Sequence, residues 1–410
     1  MPSITVICSL HPTNPPNIYN LIVSGTVLAL IGIVGLVGNL LIIFVYSQPE
    51  QRSHSIAVYL RALAISDLLM TCTAMFLFVL EAWRHHGPIS LAFAYGRGAP
   101  FFFPLASTFQ TTSVYFCVGA AVDLFINVAL KTTLSSSYCT VKRAKKFVFI
   151  TSILAIFYNI PHFFELRAIE CAEEREGIMQ KSLQICPTEF RMNHVYYSVY
   201  YTYMYTVFMA VGPLVLLIVL NFGIVMNALK RPREPDSDII SLVLVVCLFI
   251  FCNFTALLVN FLELTFADQL KYLIVYLVDL SNLLVVNSDI ISLVLVVCLF
   301  IFCNFTALLV NFLELTFADQ LKYLIVYLVD LSNLLVVINC TANFFVYLIF
   351  GQSFRKTLIK IIQNPNKSTN NRSRGNTTKL LLKEENKERK KKLILFSKDY
   401  ELSIEGSDDV

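Results

Sequence analysis

Residues 339–355 read NCTANFFVYLIFGQSFR. An apolar run here carries Asn339, Asn343 and Tyr347, then breaks at Gly351 and turns basic at Arg355. Polar side chains are costly in hydrocarbon, so those that persist inside a membrane-length run mark interior contacts or function. The whole chain shares this character. Of its 410 residues, 56% are hydrophobic and only 15% are charged, against about 45–50% and about 25% in a soluble protein. Such a composition excludes a disordered chain, a collagen-like repeat and an ordinary cytosolic enzyme. It points to a polytopic helical membrane protein. The net charge of +4 is gathered largely after residue 350. A solvated tail accounts for that better than a folded nucleic-acid-binding face.

Working outward, nine runs are long enough to cross about 30 Å of hydrocarbon. They are 21–46, 57–82, 102–130, 147–164, 199–229, 239–262, 270–286, 290–313 and 321–350. Lys and Arg near the span ends set the orientation. Arg52 follows the first span, Lys131, Lys142, Arg143, Lys145 and Lys146 follow the third, and Lys230, Arg231 and Arg233 follow the fifth. With Arg355, Lys356 and Lys360 these define one cytoplasmic side. The expected layout is an extracellular tail over 1–20, a transmembrane domain over 21–350 and a largely disordered cytoplasmic tail over 351–410. The first 20 residues have no basic start and no long apolar core, and read as an outside tail rather than a cleaved leader.

Residues 237–286 recur identically at 288–337. Natural repeats drift apart because each copy packs against different neighbours. Complete identity therefore points to a recent duplication of the coding segment, or to an error in assembling the gene. The expected fold is an all-α integral membrane protein, a seven-transmembrane helix bundle with an extra hairpin from this 50-residue duplication of spans six and seven. The functional chain is expected to use seven spans.

Polar residues punctuate the spans in a fixed order. The first holds Gly35-x-x-Gly38-Asn39 and the second holds Leu63-Ala64-Ile65-Ser66-Asp67. Ser113 and Asp123 lie in the third, Pro213 in the fifth, and the NxxNxxxY and FGxxFR patterns of the opening stretch in the last. Together, in this order, the motifs resemble the rhodopsin-like G-protein-coupled receptors. The stretch IPHFFEL (160–166), then PTEFRMN (187–193) before a tyrosine-rich span five, is similar to the FMRFamide-type neuropeptide receptors, invertebrate ones especially. By motif offset, an amine receptor would carry Asp at Ala106 and an opsin its retinal lysine at Val337; this chain has neither. Four departures stand out. Asp123 is followed by Leu124 and Phe125 where the family has Arg and Tyr. Span six has Cys252-Asn253-Phe254-Thr255, repeated as Cys303-Asn304-Phe305-Thr306, in place of Cys-Trp-x-Pro. Phe344 replaces a proline, and Ala99 replaces a disulfide cysteine.

The resemblance implies a receptor, not an enzyme. It would sit in the plasma membrane with its N-terminus outside and C-terminus inside. Its implied partners are an amidated neuropeptide of the Arg-Phe type, a heterotrimeric G protein and membrane lipid, with no nucleic acid. The missing Arg at Leu124 keeps a non-coupling decoy or scaffold as an alternative, beside a non-functional duplicated product. Asn39, Asp67, Ser113, Asp123, Pro213, Asn339, Asn343 and Tyr347 would be structural or switch residues. Asp67, Ser113, Asn339 and Asn343 match the family's sodium positions; the alternative is an interhelical polar cluster holding waters. Carboxylates near aromatic rings suit a guanidinium and a phenyl group. Glu81, Glu165, Glu170 and Glu189, with Trp83 and Tyr115, are therefore the ligand candidates. Outside the membrane Cys171 is expected to pair with Cys186, with Cys8 as the rival partner. Every Asn-x-Ser/Thr site lies in a span or the inner tail, so no used glycan is expected.

Overall fold

The computed structural model describes Cys8 and residues 16–129, 137–175, 178–229 and 322–363. Helix α1 (Ile18–Tyr46), α2 (Ser55–Arg84), α3 (Ile89–Ala129) and α4 (Val141–Phe164) are each long and apolar enough to cross a bilayer. A hairpin follows, β1 (Leu166–Arg175) and β2 (Ile178–Pro187), then the single-turn helix α5 (Glu189–Met192). Helical residues 194–229 form α6. Helix α7 (Lys322–Phe350) contains a further membrane-length stretch, Val329–Ile349, and α8 (Gln352–Gln363) ends the described chain. The expected spans at 239–262, 270–286 and 290–313 lie outside the described residues, as does the first copy of the repeat.

Apolar side chains cover the outer faces. On α1, Leu30, Val37 and Leu40 are exposed; on α4, Phe149, Leu154 and Phe157 are. These faces suit lipid, where hydrocarbon replaces water as the solvent. The interior is built around α3, which packs on α2, α4 and α6, while α1 packs on α2 and α7. Val114, Cys117, Val118 and Ala121 of α3 are buried against Met209, Leu217 and Leu220 of α6. Met70 and Leu77 of α2 meet Ala99 and Ala106 of α3 and Cys340 of α7. Several helices widen locally into π turns, over Leu21–Val27, Met75–Val79, Tyr197–Met204 and Thr206–Val211. The last precedes Pro213, whose missing N–H cannot close the regular ladder.

Small residues set the closest helix approach. A Cβ on Gly38 would lie 2.8 Å from the Cβ of Phe344, and one on Gly35 would collide with Thr341 Oγ1. Thus α1 and α7 touch nearly backbone to backbone, a packing that small residues permit. Phe344, the departure from proline, fills the space that Gly38 leaves. At the inner end Tyr46, Tyr347 and Phe354 form an aromatic cluster with centroids 5.8–6.0 Å apart. Phe354 is fully buried there, and Gln51 Nε2 donates to Ser353 Oγ at 2.9 Å. Asp123, buried near the inner end of α3, accepts a 2.8 Å hydrogen bond from Ser55 Oγ at the start of α2.

The outer loop corrects one expectation. It is an antiparallel hairpin, and the other elements among the described residues are helical. Its disulfide joins Cys171 to Cys8, not to Cys186. The register explains this: Cys171 faces Ser182, and Cys186 faces Arg167. A separation of four ladder steps is about 13 Å, beyond the roughly 7 Å a disulfide tolerates between Cα atoms. Cys8 instead lies alongside β1, its amide donating to Ala172 O at 3.0 Å. The hairpin docks on α3 without the family's disulfide. Leu183 sits against Gly96, and Ile185 joins the cluster around Ala99. This docking also carries α3 outward to Ile89, beyond the expected start at 102, through a stretch whose glycines and Pro100 interrupt its apolar pattern.

Two substitutions test this packing in detergent-solubilised protein. Gly38→Ala should lower the thermal midpoint, since overpacking costs about 1–3 kcal/mol; a midpoint equal to wild type would show that α1 and α7 do not meet as described. Ser55→Ala should cost about 1–3 kcal/mol by removing a donor from a buried carboxylate. Restoring the hydroxyl as Ser55→Thr should recover most of that loss.

Candidate functional site

A cavity of about 350 Å³ opens among α2, α3, α4, α6 and α7, within the range typical of small-ligand and cofactor pockets. Its walls are mostly apolar and aromatic: Met70, Leu77 and Phe78 of α2, Phe103 and Ala106 of α3, Tyr158 of α4, Tyr205 and Met209 of α6, and Val336 of α7. A few polar groups converge on it. Gln110 and Thr111 come from α3, Asn159 and His162 from α4, Arg191 from α5, and Ser332 and Asn333 from α7. Asn159 is held by its own bond to Thr111 Oγ1 at 2.9 Å, which fixes α4 on α3. Ala106, where an amine receptor would place an acid, is one wall of this cavity. None of the described lining residues is acidic.

Of the six ligand candidates, only Glu165 is brought to this site, and it sits behind the wall. Its side chain is fully buried, with Oε1 2.7 Å from His162 Nδ1 and Oε2 3.5 Å from Arg191 Nη1. The Tyr196 hydroxyl donates to Oε1 at 2.5 Å. The other five lie elsewhere. Glu81 pairs with Arg84 one turn on, at 3.7 Å, and Arg84 also lies over the Tyr95 ring. Trp83 Nε1 donates to Gly25 O at 3.0 Å, tying α2 to α1. The Tyr115 hydroxyl donates to Phe208 O at 2.8 Å, tying α3 to α6. Glu170 and Glu189 are exposed away from the cavity. For Glu81, Trp83 and Tyr115 a nearer partner captures the group that the linear sequence leaves unassigned.

Deeper in the bundle the expected switch residues do assemble. The Asp67 carboxylate, fully buried on α2, accepts from Ser113 Oγ at 2.7 Å and from Asn343 Nδ2 at 2.7 Å. Three helices thus meet at one carboxylate. Asn39 Nδ2 donates to Gly35 O and to Cys340 O, each at 2.9 Å, and joins α1 to α7 beside it. Asn339 is buried one turn before Asn343, but no hydrogen bond links it to Asp67. The Oδ1 atoms of Asn39, Asn339 and Asn343 and the hydroxyl of Tyr347 are buried without a hydrogen-bond partner among the described residues. A carboxylate, a hydroxyl and buried amide oxygens are the kinds of donor that suit a hard cation. Pro213 is buried in α6, and Asp123 is held by Ser55 as described above.

Several residues here were missed from the sequence. Gln110, Asn159 and Arg191 reach the cavity. Asp330 of α7 is buried at its outer end, accepting from Asn20 Nδ2 at 3.0 Å and Ser24 Oγ at 3.1 Å. Gln110, Asn159 and Asp330 are polar residues inside apolar runs, the same signal that singled out Asp67. The cost of burying them was readable; their shared destination was not.

The chain matches the profile described as "7 transmembrane receptor (rhodopsin family)" over residues 38–289. It is 38% identical to "Probable G-protein coupled receptor frpr-1" of Caenorhabditis elegans, over 83% of this chain and 79% of that receptor. It is 24% identical to the "FMRFamide receptor" of Drosophila melanogaster, over 88% of this chain and 58% of that protein. Identity to "FMRFamide peptide receptor frpr-18" of Caenorhabditis elegans is 25%, over 81% and 67% respectively. Both the profile match and the apolar helices make this a multi-pass membrane protein, a receptor rather than an enzyme: the chain belongs to the rhodopsin family of seven-transmembrane receptors.

Proposed function

We propose that this receptor answers an amidated neuropeptide ending in Arg-Phe-amide and passes the signal to a heterotrimeric G protein. It does so at the plasma membrane, with its N-terminus outside and its C-terminus inside. The observation that carries this reading is the chemistry of the cavity. Its aromatic and aliphatic walls suit a phenylalanine side chain, while Gln110 presents an amide group and Asn159, whose Nδ2 is taken by Thr111 and Ala155, can offer its amide oxygen on the adjoining helix. A terminal carboxamide offers one acceptor and two donors, which such side chains match. Two relatives are named as FMRFamide receptors, which supports the same ligand class. The basic residues Arg143, Lys145 and Lys146 at the start of α4 support the orientation. Helix α8 carries Arg355, Lys356 and Lys360 together with exposed Ile359 and Ile362, a combination suited to an anionic lipid surface.

Peptide binding would act by differential affinity for two packings of the bundle. Asp67 is the natural pivot, since it bonds α3 and α7 at once. Sodium held by Asp67, Ser113, Asn339 and Asn343 would favour the packing in which these groups stay together. The unpaired amide oxygens of Asn339 and Asn343 support that assignment. No peptide contact to this cluster is required.

Two measurements check this reading. Cells expressing the receptor should activate G protein in response to amidated Arg-Phe peptides and respond about tenfold more weakly, or less, to the free acids, because a carboxylate removes the two amide donors. Gln110→Leu with Asn159→Leu should narrow that gap, and silence towards every amidated peptide at normal surface expression would reject the ligand class. Raising sodium against an organic cation should weaken agonist binding about fivefold. Asp67→Asn should abolish that dependence, whereas a sodium-insensitive wild type would remove the ion from the account.

A further inference from the structure

Glu165 is a fully buried carboxylate behind the cavity wall, against the lining residues His162 and Arg191. Burying such a charge is tolerated only when it is paired, and stripping a partner away is strongly unfavourable. One oxygen, Oε1, has His162 Nδ1 at 2.7 Å and the Tyr196 hydroxyl at 2.5 Å. The other, Oε2, faces the Arg191 guanidinium at 3.5 Å, longer than the roughly 2.7–2.9 Å of a charge-assisted hydrogen bond. Arg191 also lies over the Phe103 ring at 5.8 Å and is 32% exposed at the cavity wall. Carboxylate and aromatic face together make a socket for a guanidinium, and the chain's own arginine stands in it.

We propose that Glu165 is the docking carboxylate for an arginine side chain of the bound peptide, and that Arg191 fills this socket until the ligand displaces it. The inference rests on the amidated-peptide reading above. Exchange keeps the electrostatic balance. One guanidinium replaces another, so Glu165 is never left buried without a countercharge, while Arg191 turns out to water through its exposed edge. Discrimination follows. A neutral isostere of arginine cannot replace Arg191 without unpairing the carboxylate, and lysine lacks the planar fork that matches it. Arg191 thus acts as a built-in competitor that raises the ligand strength needed to enter.

The test uses the full receptor in membranes and two probes: an amidated peptide ending in Arg-Phe, and the same peptide with citrulline in place of arginine. Wild type should bind the arginine peptide about tenfold more tightly, the value of one charge-assisted contact. Arg191→Gln should strengthen the arginine peptide about fivefold and leave the citrulline peptide unchanged, and Arg191→Lys should fall between. Glu165→Gln should bring the two peptides to equal affinity. If that variant fails to reach the surface, the Arg191→Gln comparison decides alone. Equal wild-type affinity for both peptides would overturn the docking role while leaving the peptide reading intact. An arginine-peptide affinity weakened by Arg191→Gln would overturn the exchange. Binding of neither peptide to wild type would reject both readings together.

Discussion

One buried carboxylate organises this bundle. Asp67 has no exposure, and in a low-dielectric interior its charge can be held only by groups brought to it. Ser113 and Asn343 meet that demand from α3 and α7, so three helices are registered against each other at a single point. The remaining inner contacts follow from that registration. With α7 held at Asn343, Phe344 falls against Gly38 and Tyr347 against Tyr46. Asn39 can then reach the carbonyl of Cys340. Hydrophobic attraction between helices is weak in lipid, so such directional ties and close contacts decide which faces pair.

The outer half is held differently. Where the family uses a disulfide to α3, this chain has Ala99, and the hairpin is fastened by Leu183 on Gly96 and by Ile185 in the adjoining cluster. Cys171 is released to bind Cys8, which lies on the hairpin edge. The inner latch is altered too. With Leu124 in place of arginine, Asp123 is paired by Ser55, so it ties α3 to α2. Both departures swap one strong link for contacts between neighbouring elements.

The existence of the described spans and the inner polar cluster were legible because both follow from local cost. A membrane-length apolar run has few alternatives, and an aspartate or asparagine inside one must face a partner. Partner identity was legible where family order assigned it, as for Asp67, Ser113 and Asn343, and not elsewhere. Trp83 and Tyr115 looked like ligand aromatics, yet their donors are taken by the carbonyls of Gly25 and Phe208 on neighbouring helices. Glu81 is paired with Arg84, one turn away. The hairpin was hidden because β1 mixes charged and apolar residues without a clean alternation, and the cysteine pairing depended on a register that spacing does not reveal. Asn339, expected beside Asp67, is buried on the right face but reaches no oxygen of it.

The duplicated segment gives the contact between α1 and α7 a further significance. The outer half of α7 up to Val337 has the same sequence as residues 271–286. Every contact made there, including Asp330 with Asn20 and Ser24 and Val337 with Leu28 and Ala74, is one that the other copy's side chains could also supply. Those contacts therefore stabilise the groove without choosing its occupant. What distinguishes α7 from the other copy lies beyond the repeat, in Cys340, Thr341, Asn343, Phe344 and Tyr347. The Gly35 and Gly38 contacts, the Asn39 bond and the carboxylate of Asp67 all meet this inner half of the helix.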